Sequence, residues 1–451
     1  MEIKCLSASG QLGYGIPEKA LRAGVRRSPD VLAADMGSID PGPFYLGSGQ
    51  MGVGGAALRR DVGLVLSAAR ELNVPLLIGS AGTAGASAHL DAVLEVVREV
   101  AKAERHSFRM ATIRSDVDRE LAAQRLSEGR VRPCGQAGEL TTSNLEQCTN
   151  LVAQMGVEPF QRALDEGAEV VIAGRACDTS MFAALPRMRG ADPGLAMHLA
   201  KLIECTSLCA EPGGRDAALG TIRDVEFLVE SMNPDRRCTP VSVAAHSMYE
   251  QSNPFTMGEP GGVIDVSDSE YEQVEPGVVK VTGSRWVPSN EYEVKLEGAR
   301  RAGFRCITIG GIRDPRMIAQ AEAVAERVRR IVGDVFREQI PESSYQVRFR
   351  RYGQGATMFH EVDALDETPV EMLVVIDVIG DTREIAYSVG AVAKQYYLHE
   401  AYPGMLCTSG NIALPFGPDV IPVGDAYEFC VYHLMGLDGP GEVFPIAYET
   451  V

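Results

Sequence analysis

Residues 170–180 read VVIAGRACDTS. Four apolar residues, Val170, Val171, Ile172 and Ala173, run into Gly174 and then into Arg175, Cys177, Asp178, Thr179 and Ser180. A short apolar run closed by glycine predicts a buried parallel strand. In an open α/β sheet, ligands sit in the crevice beyond the carboxyl ends of such strands. The polar residues after Gly174 therefore stand where binding is expected rather than packing.

The chain before this segment alternates in the same way. Residues 31–34 predict a strand ending at Asp35, 56–71 a helix, and 74–78 a strand opening into Gly79. Residues 86–102 form a helical pattern with Leu90, Val93, Leu94, Val97 and Val100 along one side. A strand over 108–113, a charged helix over 117–127 and a helix near 159–166 follow. This alternation predicts an α/β domain, a doubly wound and mostly parallel sheet with helices on its faces. Beyond about residue 220 the pattern changes to strands at 278–281 and 292–296 with little helix between them. The third region has the order strand (306–309), helix (317–332), strand (345–349), strand (372–378) and helix (383–400). That order predicts an antiparallel α+β sandwich. The expected division is an α/β domain over 1–220, a β-rich connecting region over 221–300 and the sandwich over 301–451.

At 451 residues the chain is too long for a single compact core. Hydrophobic residues at 45% and charged residues at 23% are ordinary for globular proteins. Acidic residues outnumber basic ones by 61 to 43, for a formal charge of −18, which argues against nucleic acid or an anionic membrane as partner. Only seven of the basic residues are Lys, so most anion recognition falls to guanidinium groups, which suit carboxylates and phosphates. Ten cysteines are too sparse for a disulfide scaffold. The start, MEIKCLSASGQLGYG, lacks a signal-type apolar core, and no run approaches the ~18 apolar residues of a spanning helix. A cytoplasmic protein with reduced thiols is expected.

Several segments carry candidate chemistry. The loop Gly79-Ser80-Ala81-Gly82-Thr83-Ala84-Gly85 lies between a strand and a helix, where backbone amides can cradle an anion. It lacks the Lys of a P-loop, and the alternative is a close turn that needs small residues. Gly47-Ser48-Gly49-Gln50-Met51-Gly52 matches G-x-G-x-x-G formally. However, Pro41, Gly42 and Pro43 precede it where a dinucleotide fold has a buried strand, so NAD-linked chemistry ranks third. Asp35 and Asp40 flank the Gly37-Ser38 turn, where paired carboxylates can divide acid and base roles; Asp also favours turns on its own account.

In the opening segment Arg175 can clamp a carboxylate while Asp178 acts as base or orienter. Alternatively, Asp178 or Thr179 simply caps the next helix. Cys177 has no His nearby in sequence and reads as a small buried residue as readily as a nucleophile. Glu204 sits among apolar neighbours, so it is either partnered or functional. His246 lies in a predicted helix over 240–250 with Glu250 one turn later, a catalytic pair or an exposed helical pair. His399 falls at a helix end. His360-Glu361-x-Asp363 lacks the HExxH spacing, and Cys205-x3-Cys209 has no second pair, so no metal ligand is assigned and metal dependence stays open. Lys295 alternates with Glu293 and Glu297 along a strand with one wet face, which suggests a cross-strand ion pair. Arg313 and Asp314 precede Pro315 between a strand and a long helix, within reach of a cleft or as an ordinary helix start.

The segments AADMGSIDPGPFYLGSG, VVIAGRACDTS, HLAKLIEC, EPGG, VTGSRWVPSNEYEVKLEGA, GIRDP and PGMLCTSGNIALPFGPDVI resemble motifs of the acyclic terpene utilisation protein family. The similarity runs from about Ser7 to YEFCVYHLMG. It implies a bacterial-type catabolic enzyme working near acyl-CoA intermediates, and it demotes Cys177 below Arg175 and Asp178. The leading expectation is a lyase, a hydratase or dehydratase of an unsaturated or branched carboxylic acid or its CoA thioester. Such chemistry needs an acid, a base and anion clamps, with no redox cofactor. Asp35, Asp178, Glu204 and His246 are the catalytic candidates. Ser38, Gly79, Ser80, Gly82, Thr83, Arg175, Thr179, Lys295, Arg313 and Asn411 are the substrate-binding ones. The alternative is an accessory acyl-CoA-binding subunit that needs a small partner protein; a homo-oligomer is expected in either case.

Overall fold

A computed structural model describes residues 2–357 and 369–451; His360, Glu361 and Asp363 fall outside the described residues. The chain forms two compact units, Met1–Arg300 with Phe429–Val451, and Arg301–Glu428.

The first unit carries a ten-stranded sheet. From edge to edge its order is Glu270–Glu275, Val278–Thr282, Phe227–Ser231, Ala218–Ile222, Ile3–Ser9, Val31–Asp35, Leu76–Gly79, Val170–Ala173, Arg109–Ile113 and Ile446–Thr450. The five strands from Ile3–Ser9 to Arg109–Ile113 are parallel. Successive side chains point to opposite faces, and both faces are covered. Val31, Ala33, Leu77, Val171 and Ala173 belong to one apolar core, with Phe160, Met181 and Leu199 from the helices on that side. Leu32, Ala34, Ile78, Val170 and Ile172 belong to the other, with Leu58, Val62, Val93 and Val97. Burial on both faces is why these strands read as unbroken apolar runs. The expected doubly wound, mostly parallel sheet is present, and VVIA is its strand between Leu76–Gly79 and Arg109–Ile113.

The second unit contains the latter part of Tyr292–Ile312, the strands Tyr345–Tyr352 and Met372–Gly380, and the start of Ile421–Leu437. Tyr345–Tyr352 and Tyr292–Ile312 each pair antiparallel with Met372–Gly380. The helices Pro315–Phe336 and Arg383–His399 cover one sheet face through Met317, Ala321, Val328, Val389 and Tyr397 against Val374, Ile376 and Val378. The order strand, helix, strand, strand, helix, strand makes the expected α+β layer pair.

The division of the chain differs from expectation. The region 221–300 is not a separate connector, because Ala218–Ile222 pairs antiparallel with Ile3–Ser9 and the strands after it extend that same sheet. Nor does the sandwich run to residue 451. The last strand, Ile446–Thr450, covers the open edge of Arg109–Ile113 in the first unit, satisfying main-chain groups that an edge would leave unpaired.

Candidate active site

The carboxyl ends of the central strands meet at one place. Val31–Asp35 ends in Asp35, Leu76–Gly79 leads to Ser80, and Val170–Ala173 leads to Arg175 and Asp178. Beside them lies a cavity of about 780 Å³ in the first unit, within the usual range for small-molecule sites. Its wall includes Ser38, Asp40, Gln154, Arg175, Cys177, Asp178, Thr179, Lys201, Glu250, Glu259 and Lys295.

Arg175 is 3% exposed and nearly saturated. Its Nε donates to Glu297 Oε2 at 2.8 Å and its Nη2 to Glu297 Oε1 at 3.3 Å. Its Nη1 reaches the Gly37 carbonyl at 3.3 Å and Ser80 Oγ at 3.2 Å. Burial opposes its charge, but Glu297 holds the guanidinium protonated. The expected carboxylate clamp is therefore occupied from within the fold. Glu297 also accepts from Gln154 Nε2 at 3.2 Å. The strand Tyr292–Ile312 delivers it by pairing with Asn150–Ala153. The alternation of Glu293, Lys295 and Glu297 does not mark one wet face, since Glu297 is fully buried; only its tertiary partner Arg175 makes that position tolerable.

Asp178 is half open, 39% exposed, with one oxygen 3.9 Å from Arg175 Nη1. Asp35 lies deeper, 4% exposed, and its Oδ1 has no hydrogen-bond partner among the described residues. Burial and the Asp178 charge push the Asp35 carboxyl well above the usual range, with Arg175 and Ser80 pulling the other way. Asp35 is not on the cavity wall.

Neither Asp178 nor Thr179 caps the helix Ser180–Met188 by its side chain. Thr179 instead donates to Glu259 Oε2 at 2.9 Å. Glu259 ends the strand Thr256–Glu259 of a small antiparallel sheet, and burial raises its pKa. Lys295, partly buried, is loosely held: its Nζ lies 3.4 Å from Tyr432 Oη, 5.2 Å over the Tyr432 ring and 3.8 Å from Glu297 Oε1. Burial disfavours its charge, while Glu297 and Tyr432 more than restore it.

A second cluster adjoins the wall. Lys201 Nζ lies 2.7 Å from Glu204 Oε1 and 3.6 Å from Glu250 Oε2. Glu204 is pushed up to about 7, first by burial, with Asp178 adding to it and Lys201 opposing. Cys205 Sγ donates to Glu204 Oε2 at 2.9 Å. His246 is brought down to about 4 by burial and the Lys201 charge. Its helix ends at Ser247, and Glu250 adopts a left-handed φ of 61° beyond it, so the expected one-turn His246 and Glu250 helical pair is absent.

Other expected residues lie elsewhere. Gly79, Ser80, Gly82 and Thr83 are not on the cavity wall, and their loop is a packed turn. The amides of Ser80 and Ala81 donate to the Gly174 and Ala173 carbonyls at 3.0 Å, and that of Thr83 to the Ser80 carbonyl at 3.2 Å. At Gly85 an added Cβ would stand 2.1 Å from the Arg175 nitrogen, which accounts for the small residues there. Gly49 closes the short helix Pro43–Ser48, so that glycine tract does not follow a strand as a dinucleotide loop does. Arg313 is an exposed residue of the second unit. Asn411, also in that unit, is buried and donates to the Glu400 carbonyl at 2.8 Å as a structural tie. Glu259 and Gln154 were not singled out from the sequence, Glu297 was read only as part of an alternating strand, and Lys201 lay within HLAKLIEC without a role; only the tertiary fold brings the four together.

Residues 64–213 and 226–416 match the family model described as acyclic terpene utilisation family protein AtuA. No curated protein and no solved structure matches the chain. No helix among the described residues is long and apolar enough to cross a membrane.

Proposed function

The chain belongs to the acyclic terpene utilisation family, and from that premise we propose that it is a hydro-lyase acting on an unsaturated or branched carboxylic acid or its CoA thioester. The observation that carries this reading is a pair of carboxyl groups in unlike settings on one cavity wall. Asp178 is half open beside Arg175, whereas Glu259 is partly buried, accepts from Thr179, and is held above its ordinary pKa by desolvation. Two carboxyls whose environments differ in this way divide base and acid roles. Lys295, loosely tethered and facing the same cavity, receives the substrate carboxylate or thioester oxygen and stabilises the charge that develops there. In the hydration direction Asp178 takes a proton from water as its oxygen bonds to the β-carbon. Glu259 gives its proton to the α-carbon, and solvent restores both groups. Arg175 acts as a positioning residue that orients Asp178, and Asp35 supports that arrangement from below.

Turnover of a panel of unsaturated acids and CoA thioesters tests the assignment. Asp178→Asn is expected to abolish hydration while ligand binding persists, and Glu259→Gln to lower kcat by about 10²–10⁴-fold, the usual contribution of general acid catalysis. Unchanged turnover in Asp178→Asn would overturn the roles. Binding of a thioester without turnover by the unmodified protein would favour an accessory binding subunit.

A further inference from the structure

We propose that Glu204, Cys205 and His246 form a binding site for a zinc-class divalent cation. A carboxylate oxygen of Glu204, the Cys205 sulfur and a ring nitrogen of His246 all lie within 4.8 Å of one another. His246 is 6% exposed, and its Nε2 has no hydrogen-bond partner among the described residues. A buried imidazole nitrogen without a partner is costly unless a ligand engages it. The mixture of thiolate, imidazole and carboxylate is the donor set of zinc and its first-row neighbours rather than of magnesium or calcium. Three protein donors leave a fourth coordination position.

Rigid elements hold the three donors. Glu204 caps the C-terminus of the buried helix Pro193–Ile203, and Cys205 follows directly. His246 stands in the helix Pro240–Ser247, whose start is fixed by a reciprocal Thr239 and Ser242 capping box. Helix-mounted ligands keep their geometry better than loop-mounted ones. The surrounding charge suits a cation. Three carboxylates, Asp178, Glu204 and Glu250, act on the single ammonium of Lys201. When Glu204 turns to a metal, Lys201 keeps Glu250 as its carboxylate partner. Binding replaces the Cys205 thiol proton and whatever proton Glu204 carries, both leaving to solvent, so uptake releases at least one proton per metal.

The full-length protein, dialysed against chelator and titrated with zinc and then cobalt, provides the test. One equivalent is expected to bind, and the cobalt form to show a thiolate-to-cobalt charge-transfer band in the near ultraviolet. Cys205→Ser should remove that band, and His246→Gln should weaken binding more than about 100-fold, beyond the loss typical of outer-shell changes. Cys134→Ser, elsewhere on the cavity wall, should keep the band. Bound zinc should also shield Cys205 of the unmodified protein from alkylation, a readout independent of any variant's folding. Absence of stoichiometric binding, or a band unaffected by Cys205→Ser, would overturn the site. Asp178→Asn should retain the metal while losing turnover, so the failure of either reading is separable from the other.

Discussion

Asp35 is a carboxyl group held where its own charge is disfavoured. Its folded pKa lies above the usual value of 3.8, so the folded state binds more protons than the unfolded chain above that pH. The stability associated with Asp35 is fully present below its ordinary pKa and is lost as pH rises through the raised value. Asp35→Asn keeps the shape without the charge. It should raise the melting temperature by a few degrees near pH 8 and change it little near pH 4, as read by calorimetry. An equal shift at both ends of the range would contradict the burial-driven account. The position of Asp35 at a strand end was legible in sequence because an apolar run stops there. Its depth was not, since the groups that bury it, Arg175 and Ser80 among them, come from other strands.

The ion pair between Arg175 and Glu297 joins the loop after Val170–Ala173 to the long strand Tyr292–Ile312. Removing one partner of a buried pair leaves the other charge uncompensated, at a cost of about 3–5 kcal/mol. Glu297→Ala is therefore expected to lower the urea midpoint strongly, and a loss below about 1 kcal/mol would mean that Arg175 finds another partner. The strand itself was visible from its alternation, but its buried face was misassigned. Charged residues at every second position look like a wet face whether or not a distant guanidinium waits opposite one of them. The helix beginning at Pro315 was legible for a local reason. Asp314 accepts from the Arg316 amide at 2.9 Å, a cap that the Asp-Pro pair announces.

For the whole molecule, the chain returns to the first unit after leaving it. Phe429–Val451 belongs with residues 1–300, and Ile446–Thr450 completes the sheet beside Arg109–Ile113. Deleting residues 446–451 should lower the melting temperature and promote concentration-dependent association, because the exposed strand becomes an open edge. Calorimetry with light scattering would show both effects; an unchanged melting temperature would mean that the edge is stable unpaired. The two-unit arrangement escaped the linear reading because it expects each unit to be a continuous stretch of chain.

By itself the sequence determined the doubly wound sheet, the α+β layer pair and the place of VVIAGRACDTS at a strand's carboxyl end. Those features follow from local periodicity, glycine closure and capping, which neighbouring residues encode. Tertiary structure alone decided that Arg175 is satisfied by Glu297, that Glu259 faces the cavity with Asp178, and that Lys201, Glu204, Cys205 and His246 cluster. Each of those depends on which residues far apart in the chain are buried together, and burial sets both the cost of a charge and the partner that relieves it.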